Sequence, residues 1–320
     1  MTKLLEVQNL TIHYWTLRGY VHAVDNIEFS MEKGDTLGLA GESGCGKTTA
    51  MMGILRLLPR NATISGKIFL EGEDLLQMPM DRFRQEIRWK KLSTIFQGAM
   101  NSLHPIMRIG DQIVEAILLH ENVTREEAWK RAESLLDLVG VGAYRADRYP
   151  HELSGGLKQR TMIAMSLASN PDLIIADEPT TALDVIVEAQ VLKVMKELQK
   201  KLNLSIIFVT HDLSLIAETC NKVAIMYAGK IVEKGDVVTV YKEPLHPYTQ
   251  KLLAAFPSIL GRKTELVSIP GFPPDLLQPP PGCRFHPRCP YAMEVCKREE
   301  PQPVTIGGRS VACHLVERKA

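Results

Sequence analysis

The chain has 320 residues, of which 45% are hydrophobic and 23% charged, which is typical of a globular protein with two domains. The formal net charge is only +1, so it gives no reason to expect nucleic acid or an anionic membrane surface as a partner. No apolar run approaches the roughly 18 residues of a membrane-spanning helix, and Glu6 interrupts the start where a signal peptide would stay apolar. We therefore expect a protein that stays in the cytosol and does not itself cross a bilayer.

The first 40 residues or so predict short strands. Residues 23–29 alternate apolar and polar side chains, and we expect them to pair with residues 4–7 in an antiparallel sheet. This sheet would flank the loop that follows.

Residues 41–48 read GESGCGKT and match G-x-x-x-x-G-K-[ST], a loop whose backbone N–H groups surround nucleotide phosphates. An apolar run at 36–40 precedes the loop and a helical pattern at 49–55 follows it, which is the strand-loop-helix context that the motif needs. The glycines let the N–H groups turn inward, and the helix start adds partial positive charge. We expect ATP or GTP to bind here through Gly41, Ser43, Gly44, Cys45, Gly46, Lys47, Thr48 and Thr49.

Side chains of this loop add specific chemistry. Lys47 is expected to reach the β- and γ-phosphates, and the Thr48 hydroxyl is expected to ligate Mg²⁺. Cys45 lies near Lys47 and near the helix start, both of which favour a thiolate. A thiol reagent should therefore inactivate the protein, and bound ATP should protect it.

Further along, helical and strand patterns alternate. Apolar residues within 111–138 have helical spacing and predict a helical insert at about 100–165. Residues 173–176 and 205–209 read as buried strands separated by an amphipathic helix at 187–202, the rhythm of a parallel sheet. The first of these strands ends in Asp177 and Glu178, where one carboxylate can hold Mg²⁺ and the next can polarise water.

The octapeptide LSGGLKQR at 153–160 precedes a helix and resembles the signature sequence of ATP-binding cassette (ABC) proteins. The phosphate loop, Gln97, the signature, the two carboxylates, TALD at 181–184 and His211 follow one another in that family's order. The resemblance covers essentially the whole chain. It implies an α/β fold: a P-loop NTPase (RecA-like) core with an antiparallel β flank and an α-helical insert, plus a small cysteine-containing C-terminal module.

The resemblance also implies a head-to-tail dimer in which ATP lies between the phosphate loop of one subunit and the signature helix of the other. Ser154, Gly155 and Gly156 would then serve the partner's ATP, since glycines at a helix start offer N–H groups to the γ-phosphate. Asp184 would lie across the dimer interface and couple one site to the other.

Roles for single residues follow from the same resemblance. Glu178 is the candidate base, Gln97 would touch Mg²⁺ and the attacking water, and His211 would contact the γ-phosphate and support Glu178; Lys47 completes the catalytic set. Tyr14 is our choice for the aromatic that stacks on adenine. Trp15 and Tyr20 are close enough in the chain to compete for that role.

After about residue 241 the composition shifts to proline, so we predict a nucleotide-binding domain at 1–245 and an extension at 246–320. LHPYT at 245–249 and IPGFPP at 269–274 resemble the extension of ATPase subunits in oligopeptide and dipeptide importers. Four thiols follow, and their spacing is not that of common zinc ribbons: Cys283, Cys289, Cys296 and Cys313. Disulfides are not expected in a cytosolic chain, so a metal centre is the favoured interpretation. Related importer subunits suggest a [4Fe–4S] cluster, with Zn²⁺ or free thiols as the alternatives.

Taken together, the resemblance predicts the ATP-hydrolysing subunit of an ABC importer for peptides, peripheral at the cytoplasmic face of the plasma membrane. Its expected partners are a second ABC ATPase subunit, which is either similar or identical, two transmembrane permease subunits that dock in a groove beside Gln97, and an external substrate-binding protein. Nickel complexes and oligosaccharides stay open as cargo. A soluble ABC ATPase acting on ribosomes or DNA is a distant alternative, and Ser154-Gly155-Gly156 argues against a phosphate-loop kinase.

Overall fold

The computed structural model describes residues 3–98, 102–255 and 269–317. Its strands are β1 (Lys3–Thr16), β2 (Gly19–Glu32), β3 (Thr36–Ala40), β4 (Ala62–Leu70), β5 (Glu73–Asp74), β6 (Leu92–Ile95), β7 (Leu173–Asp177), β8 (Ser205–Thr210), β9 (Lys222–Tyr227), β10 (Lys230–Asp236), β11 (Pro303–Ile306) and β12 (Arg309–Ala312). Its helices are α1 (Lys47–Ile54), α2 (Met80–Arg82), α3 (Ile109–His120), α4 (Arg125–Leu138), α5 (Gly155–Ser166), α6 (Val185–Leu202), α7 (Leu213–Thr219), α8 (Val237–Lys242), α9 (Pro247–Ala254) and α10 (His314–Glu317).

The described chain divides into two compact units. The first contains residues 3–32, 36–76, 209–255 and 269–317, and the second contains residues 33–35, 77–98 and 102–208. Strand β8 therefore begins in the second unit and ends in the first.

One sheet of the first unit is antiparallel, with the strand order β2-β1-β4-β5. Strands β1 and β2 form a long hairpin in which Val7 lies opposite Phe29 and Leu5 opposite Met31. The predicted pairing of the two N-terminal segments is confirmed, and the hairpin extends well beyond the predicted residues. Alternate apolar side chains on both strands are buried, as expected for a sheet with one face on a core.

The other strands of the first unit follow the order β11-β12-β10-β9-β3. Strand β3 is buried at every residue and runs parallel to β9, whereas β10 is antiparallel to both β9 and β12. The C-terminal part of the chain thus adds strands next to those that precede the phosphate loop. Tyr227, Tyr248 and Phe285 are fully buried together in one hydrophobic cluster that also includes Ala40, the last residue of β3. The domain boundary at residue 245 stays a prediction.

In the second unit, β6 and β7 pair in parallel, with Ile95 opposite Ala176. Helices α3, α4 and α5 make up the predicted helical insert, and α4 begins with a capping box between Thr124 and Glu127. The amphipathic helix was predicted to begin at residue 187; α6 begins at Val185, because Asp184 caps it by accepting hydrogen bonds from the N–H groups of Ile186 and Val187.

Candidate nucleotide site

The phosphate loop lies between β3 and α1 in the first unit, as predicted. Gly46 has φ +104°, and a Cβ there would lie 2.2 Å from the carbonyl oxygen of Ala23. A Cβ at Gly41 would lie 2.2 Å from the carbonyl oxygen of Met226. These glycines therefore allow the loop to pack closely against neighbouring backbone, and no other residue fits either position. Ser43, Gly44 and Thr48 are exposed and open to a ligand.

Lys47 is the first residue of α1, and only 7% of its surface is exposed. Its ammonium group donates to the carbonyl oxygens of Gly41 at 2.7 Å and Glu42 at 3.0 Å. The cation is thus held inside the loop by backbone carbonyls. A positive charge in this position is what a triphosphate requires.

The expectation of a reactive Cys45 thiolate is wrong in its direction. Burial raises the pKa of the Cys45 thiol, and this effect outweighs the opposing influence of Lys47, whose ammonium lies 3.6 Å from the sulfur. Only 4% of Cys45 is exposed, so the cost of desolvating a thiolate is the larger effect.

Tyr14 lies beside the start of α1, where its hydroxyl donates to the Thr49 hydroxyl at 3.3 Å. The competing aromatic residues Trp15 and Tyr20 are 53% and 51% exposed. Of these three aromatic residues, Tyr14 has an observed hydrogen bond to the residue directly after the phosphate loop. Its adenine-stacking role stays a prediction.

The candidate catalytic residues of the second unit lie at the carboxyl ends of two neighbouring strands. Gln97 lies just after β6, Asp177 is the last residue of β7, and Glu178 follows it. Because β6 and β7 are parallel, their carboxyl ends meet at one edge of the sheet. The Gln97 side-chain amide donates to the Glu178 carboxylate at 2.7 Å, and the Thr181 hydroxyl donates to the same oxygen at 3.1 Å. Asp177 is 3% exposed. The Asp177 side chain is thus buried, and two hydrogen bonds orient the neighbouring Glu178 carboxylate.

Glu178 also has an unusual backbone. Its φ of +46° lies in the left-handed region, which costs free energy for a residue with a Cβ and recurs at functional positions as well as in turns. Sequence reasoning found Glu178 but gave no role to Thr181, although TALD was singled out as a motif. A hydroxyl three residues after a carboxylate was the available signal.

The signature residues begin helix α5. Ser154 is the N-cap residue, yet its side chain makes no capping hydrogen bond, and both Ser154 and Gly155 are exposed. The first turn also lacks an acidic residue, so the positive end of the helix dipole faces outward uncompensated. Gly156 is buried, and a Cβ there would lie 2.4 Å from Val187 Cγ1 on α6. This helix start can accept an anion.

Asp184 and His211 are both exposed. The structure gives Asp184 a role within the chain, as the N-cap of α6. His211 directly follows β8 and precedes Asp212, the N-cap of α7. Their predicted contacts, with the partner subunit and with the γ-phosphate, stay predictions.

The four C-terminal cysteines lie in one region of the first unit. The N–H group of Cys283 donates to the carbonyl oxygen of Cys296 at 2.9 Å. Burial, and then the other three thiols, raise the pKa of Cys283 to about 12. However, no group of three or more histidine, cysteine, aspartate or glutamate side chains within the described ranges is close enough to hold a metal ion. The residue types suit a thiolate-bound metal, but their present spacing does not form the predicted centre.

Sequence reasoning missed two C-terminal residues that contact the phosphate loop. The Glu42 N–H group donates to the Tyr248 hydroxyl, and Arg288 forms an ion pair with the Glu42 carboxylate. Tyr248 lies in the segment 245–249 that resembles peptide-importer subunits, and Arg288 directly precedes Cys289, but nothing in the sequence showed where their side chains reach.

Comparison with known proteins agrees with this geometry. The family model described as ABC transporter matches residues 24–181, and the one described as Oligopeptide/dipeptide transporter, C-terminal region matches residues 232–296. The oligopeptide transport ATP-binding protein OppD of Bacillus subtilis (strain 168) is 47% identical over 306 residues, which are 94% of this chain and 85% of that protein. The dipeptide transport ATP-binding protein DppD of the same organism is 43% identical over 325 residues, which are 100% of this chain and 97% of that protein.

Solved structures extend the likeness to the fold. The dimeric structure of a post-hydrolysis state of the ATP-binding cassette MJ0796 bound to ADP and Pi has a TM-score of 0.65 at 26% sequence identity. The match covers 73% of this chain and 98% of that chain. Across the part of the chain that the structure describes, every helix is too short or too polar to span a bilayer.

Proposed function

The chain belongs to the ABC transporter family, as an ATP-binding subunit, and we propose that it powers the uptake of peptides across the plasma membrane. Both OppD and DppD, which are named for oligopeptide and dipeptide transport, are more than 40% identical to it over most of their length. The importer-type C-terminal region is matched as well. Hydrolysis of ATP is coupled to transport in this family.

The geometry that supports hydrolysis best is the hydrogen bond from Gln97 to Glu178. It fixes a carboxylate at the end of β7, directly after the buried Asp177. A general base needs to be oriented before it can take a proton from water. The neutral amide of Gln97 orients Glu178 by donating a hydrogen bond, without adding a charge.

Each side chain then has a proposed part in the reaction. Lys47 and the loop N–H groups bind the β- and γ-phosphates, while Glu178 accepts a proton from the attacking water and His211 supports it. Thr48, Gln97 and Asp177 would hold Mg²⁺, which when bound would neutralise charge on the phosphate oxygens. Tyr14 would stack on adenine.

Dimerisation supplies the remaining donors. We propose that Ser154, Gly155 and Gly156 bind the γ-phosphate of the partner subunit's ATP, because the start of α5 is exposed and uncompensated. Val185 and Ile186 follow Asp184 and are 80% and 73% exposed, which suits a surface that another subunit covers. The partner subunit would be a second copy or a similar chain.

The permease subunits would dock in a groove beside Gln97, and the helical insert, which follows Gln97 in the chain, offers a further surface that suits such a contact. A groove of about 660 Å³ is lined by residues of the segment 106–119, with Arg125 and Tyr149. Ile106 and Leu119 are 79% and 76% exposed, and Arg108, Asp111 and Glu115 supply charge. A short helix with an apolar face and polar ends fits such a groove. An external substrate-binding protein would complete the importer at the opposite face of the membrane.

A metal centre at the four C-terminal cysteines is a further proposal, and it requires their side chains to draw closer than they do here. Its support is the presence of four thiols in one region, which is the ligand set of a [4Fe–4S] cluster or of Zn²⁺. Anaerobically purified protein should contain iron and acid-labile sulfide, or else zinc. Protein with neither metal at a stoichiometric level would reject the centre.

The function is tested by peptide uptake in cells that encode this chain. Replacing the native copy by Lys47→Ala should abolish accumulation of a labelled di- or tripeptide, because ATP no longer binds productively. Uptake of a free amino acid through another carrier is the control. Unchanged peptide uptake together with lost uptake of nickel or an oligosaccharide would mean that this chain powers the uptake of that other cargo. Unchanged uptake of all of these would contradict an importer function.

A further inference from the structure

The phosphate loop is held from outside by the C-terminal segment, through a single residue. Glu42 is the second residue of the loop, and its carboxylate accepts two hydrogen bonds from Arg288, at 2.7 and 3.0 Å. Its N–H group donates to the Tyr248 hydroxyl at 3.0 Å. Backbone and side chain of the same loop residue are therefore fixed by two residues that lie more than 200 positions later in the chain.

Arg288 is itself held rigidly. Only 5% of its side chain is exposed, and its Nε donates to the carbonyl oxygen of Pro270 at 2.9 Å. The guanidinium also donates to the Tyr227 hydroxyl at 3.3 Å. A planar guanidinium that is bonded on both edges presents its fork to a carboxylate in one orientation, which a lysine in the same place would not do.

Tyr248 is anchored equally well. It is fully buried, and its ring centroid lies 4.6 Å from that of Tyr227 and 5.4 Å from that of Phe285. The hydroxyl therefore has little freedom to move away from the loop. Tyr227, which accepts a hydrogen bond from Arg288, belongs to the same buried cluster as Tyr248.

The contacts of Arg288 and Tyr248 with Glu42 are linked to the Lys47 ammonium group through the loop backbone. The carbonyl oxygens of Gly41 and Glu42 accept hydrogen bonds from the Lys47 ammonium group. The peptide unit between Gly41 and Glu42 thus contacts Lys47 through its carbonyl oxygen and Tyr248 through its N–H group. A shift of Glu42 would move the oxygens that hold Lys47.

We propose that Arg288, assisted by Tyr248, is a positioning residue for ATP: it holds the phosphate loop in the shape that receives the triphosphate. This inference rests on the proposed function, since it takes ATP to be the ligand. The C-terminal extension would then contribute to the affinity for the nucleotide. An anchor that only fastens the extension to the fold would affect stability and leave affinity alone.

The test measures the Kd of ATP by calorimetry on the full-length chain. Arg288→Gln should raise the Kd about tenfold, the effect of losing one hydrogen-bonded charge pair. Glu42→Gln should do the same, and the double variant should be no weaker than either single one, because the two residues act as a unit. Arg288→Lys should recover only part of the affinity. The KM for ATP should rise with kcat changed less than threefold.

The matched control is Arg284→Gln. Arg284 lies in the same segment and is as deeply buried, but its partners are Asp25 and the carbonyl oxygen of Ala228. It should lose stability without losing ATP affinity. If Arg288→Gln fails to fold, Glu42→Gln and Arg288→Lys carry the same comparison.

Two failures can be told apart. If Lys47→Ala weakens ATP binding while Arg288→Gln and Glu42→Gln bind as the unchanged protein does, the positioning role is wrong and the proposed function stands. If the unchanged chain and Lys47→Ala both fail to bind ATP, the proposed function is wrong as well.

Discussion

Two functional side chains of the first unit are held differently from two of the second. In the first, Lys47 is buried and bonded to loop carbonyls, and Glu42 is held by Arg288, a residue 8% exposed. In the second, Gln97 and Ser154 are exposed at strand and helix ends. Lys47 and Glu42 are thus fixed by contacts inside the first unit, whereas Gln97 and Ser154 lie at the surface of the second. Nucleotide affinity should therefore depend on the core of the first unit, and turnover on exposed groups of the second.

Replacing Glu178 by glutamine should separate these two properties most strongly. The substitution removes the proposed base but keeps a group that can bond Gln97, so kcat for ATP hydrolysis should fall by roughly 10²- to 10⁴-fold. The Kd of ATP and the free energy of unfolding should stay nearly unchanged. Phosphate release and calorimetry measure both, with Glu188→Gln on α6 as the control. A rate within threefold of the unchanged protein would remove Glu178 from the mechanism.

Replacing Phe285 by alanine should strongly lower the stability of the first unit. Phe285 is 1% exposed and contacts the rings of Tyr227 and Tyr248. Loss of a buried phenyl ring costs about 3–5 kcal/mol of unfolding free energy. Phe272→Ala is the control, since Phe272 is 92% exposed and should change stability by no more than about 0.5 kcal/mol. Equal denaturation midpoints for the two variants would show that the C-terminal segment does not belong to this core.

Local features of the sequence were the predictable ones. The strand before the phosphate loop was predicted at 36–40 and observed at Thr36–Ala40, because a short apolar run next to a glycine-rich motif allows little else. A parallel sheet was predicted for residues 173–176 and 205–209, but the pairing of β6 with β7, which brings Gln97 to Glu178, was not.

Long-range features were not predictable. The contacts of Arg288 and Tyr248 with Glu42 join residues far apart in the chain, and no periodicity encodes them. The Cys45 thiolate was predicted in the wrong direction for a related reason: Lys47 is visible beside it in the sequence, but the burial that outweighs Lys47 is created by the whole fold. The metal centre depends on side-chain spacing, which the residue types alone do not fix.

A smaller effect is expected from pH, through His246 at the start of α9. Burial lowers the pKa of His246 to about 3, and its Nδ1 accepts a hydrogen bond from the Tyr248 N–H group. The unfolded chain takes up this proton near pH 6.5 and the folded chain does not, so stability falls as the pH drops below about 6.5. The buried Glu233 carboxylate, which accepts from the His246 N–H group, does not reverse this direction.

His246→Asn tests this, because asparagine can cap the helix but does not titrate. Between pH 7 and pH 5 the unchanged protein should lose about 2 kcal/mol more unfolding free energy than the variant. Urea denaturation at both pH values measures the difference. Equal losses in the two proteins would mean that His246 is not the group that couples this core to pH.

The smallest expected effect concerns Cys45, and it tests whether the interior of the phosphate loop is as dry as the first unit implies. If desolvation dominates, iodoacetamide should label Cys45 more slowly in the native protein than in urea-unfolded chain at the same pH, because the thiol is buried and its pKa is raised. Peptide mass spectrometry resolves Cys45 from the other cysteines. Faster labelling in the native state would mean that the Lys47 charge outweighs burial. The loop would then be a hydrated cationic surface, and the contrast between a closed first unit and an open second unit would not hold at the residues that bind phosphate.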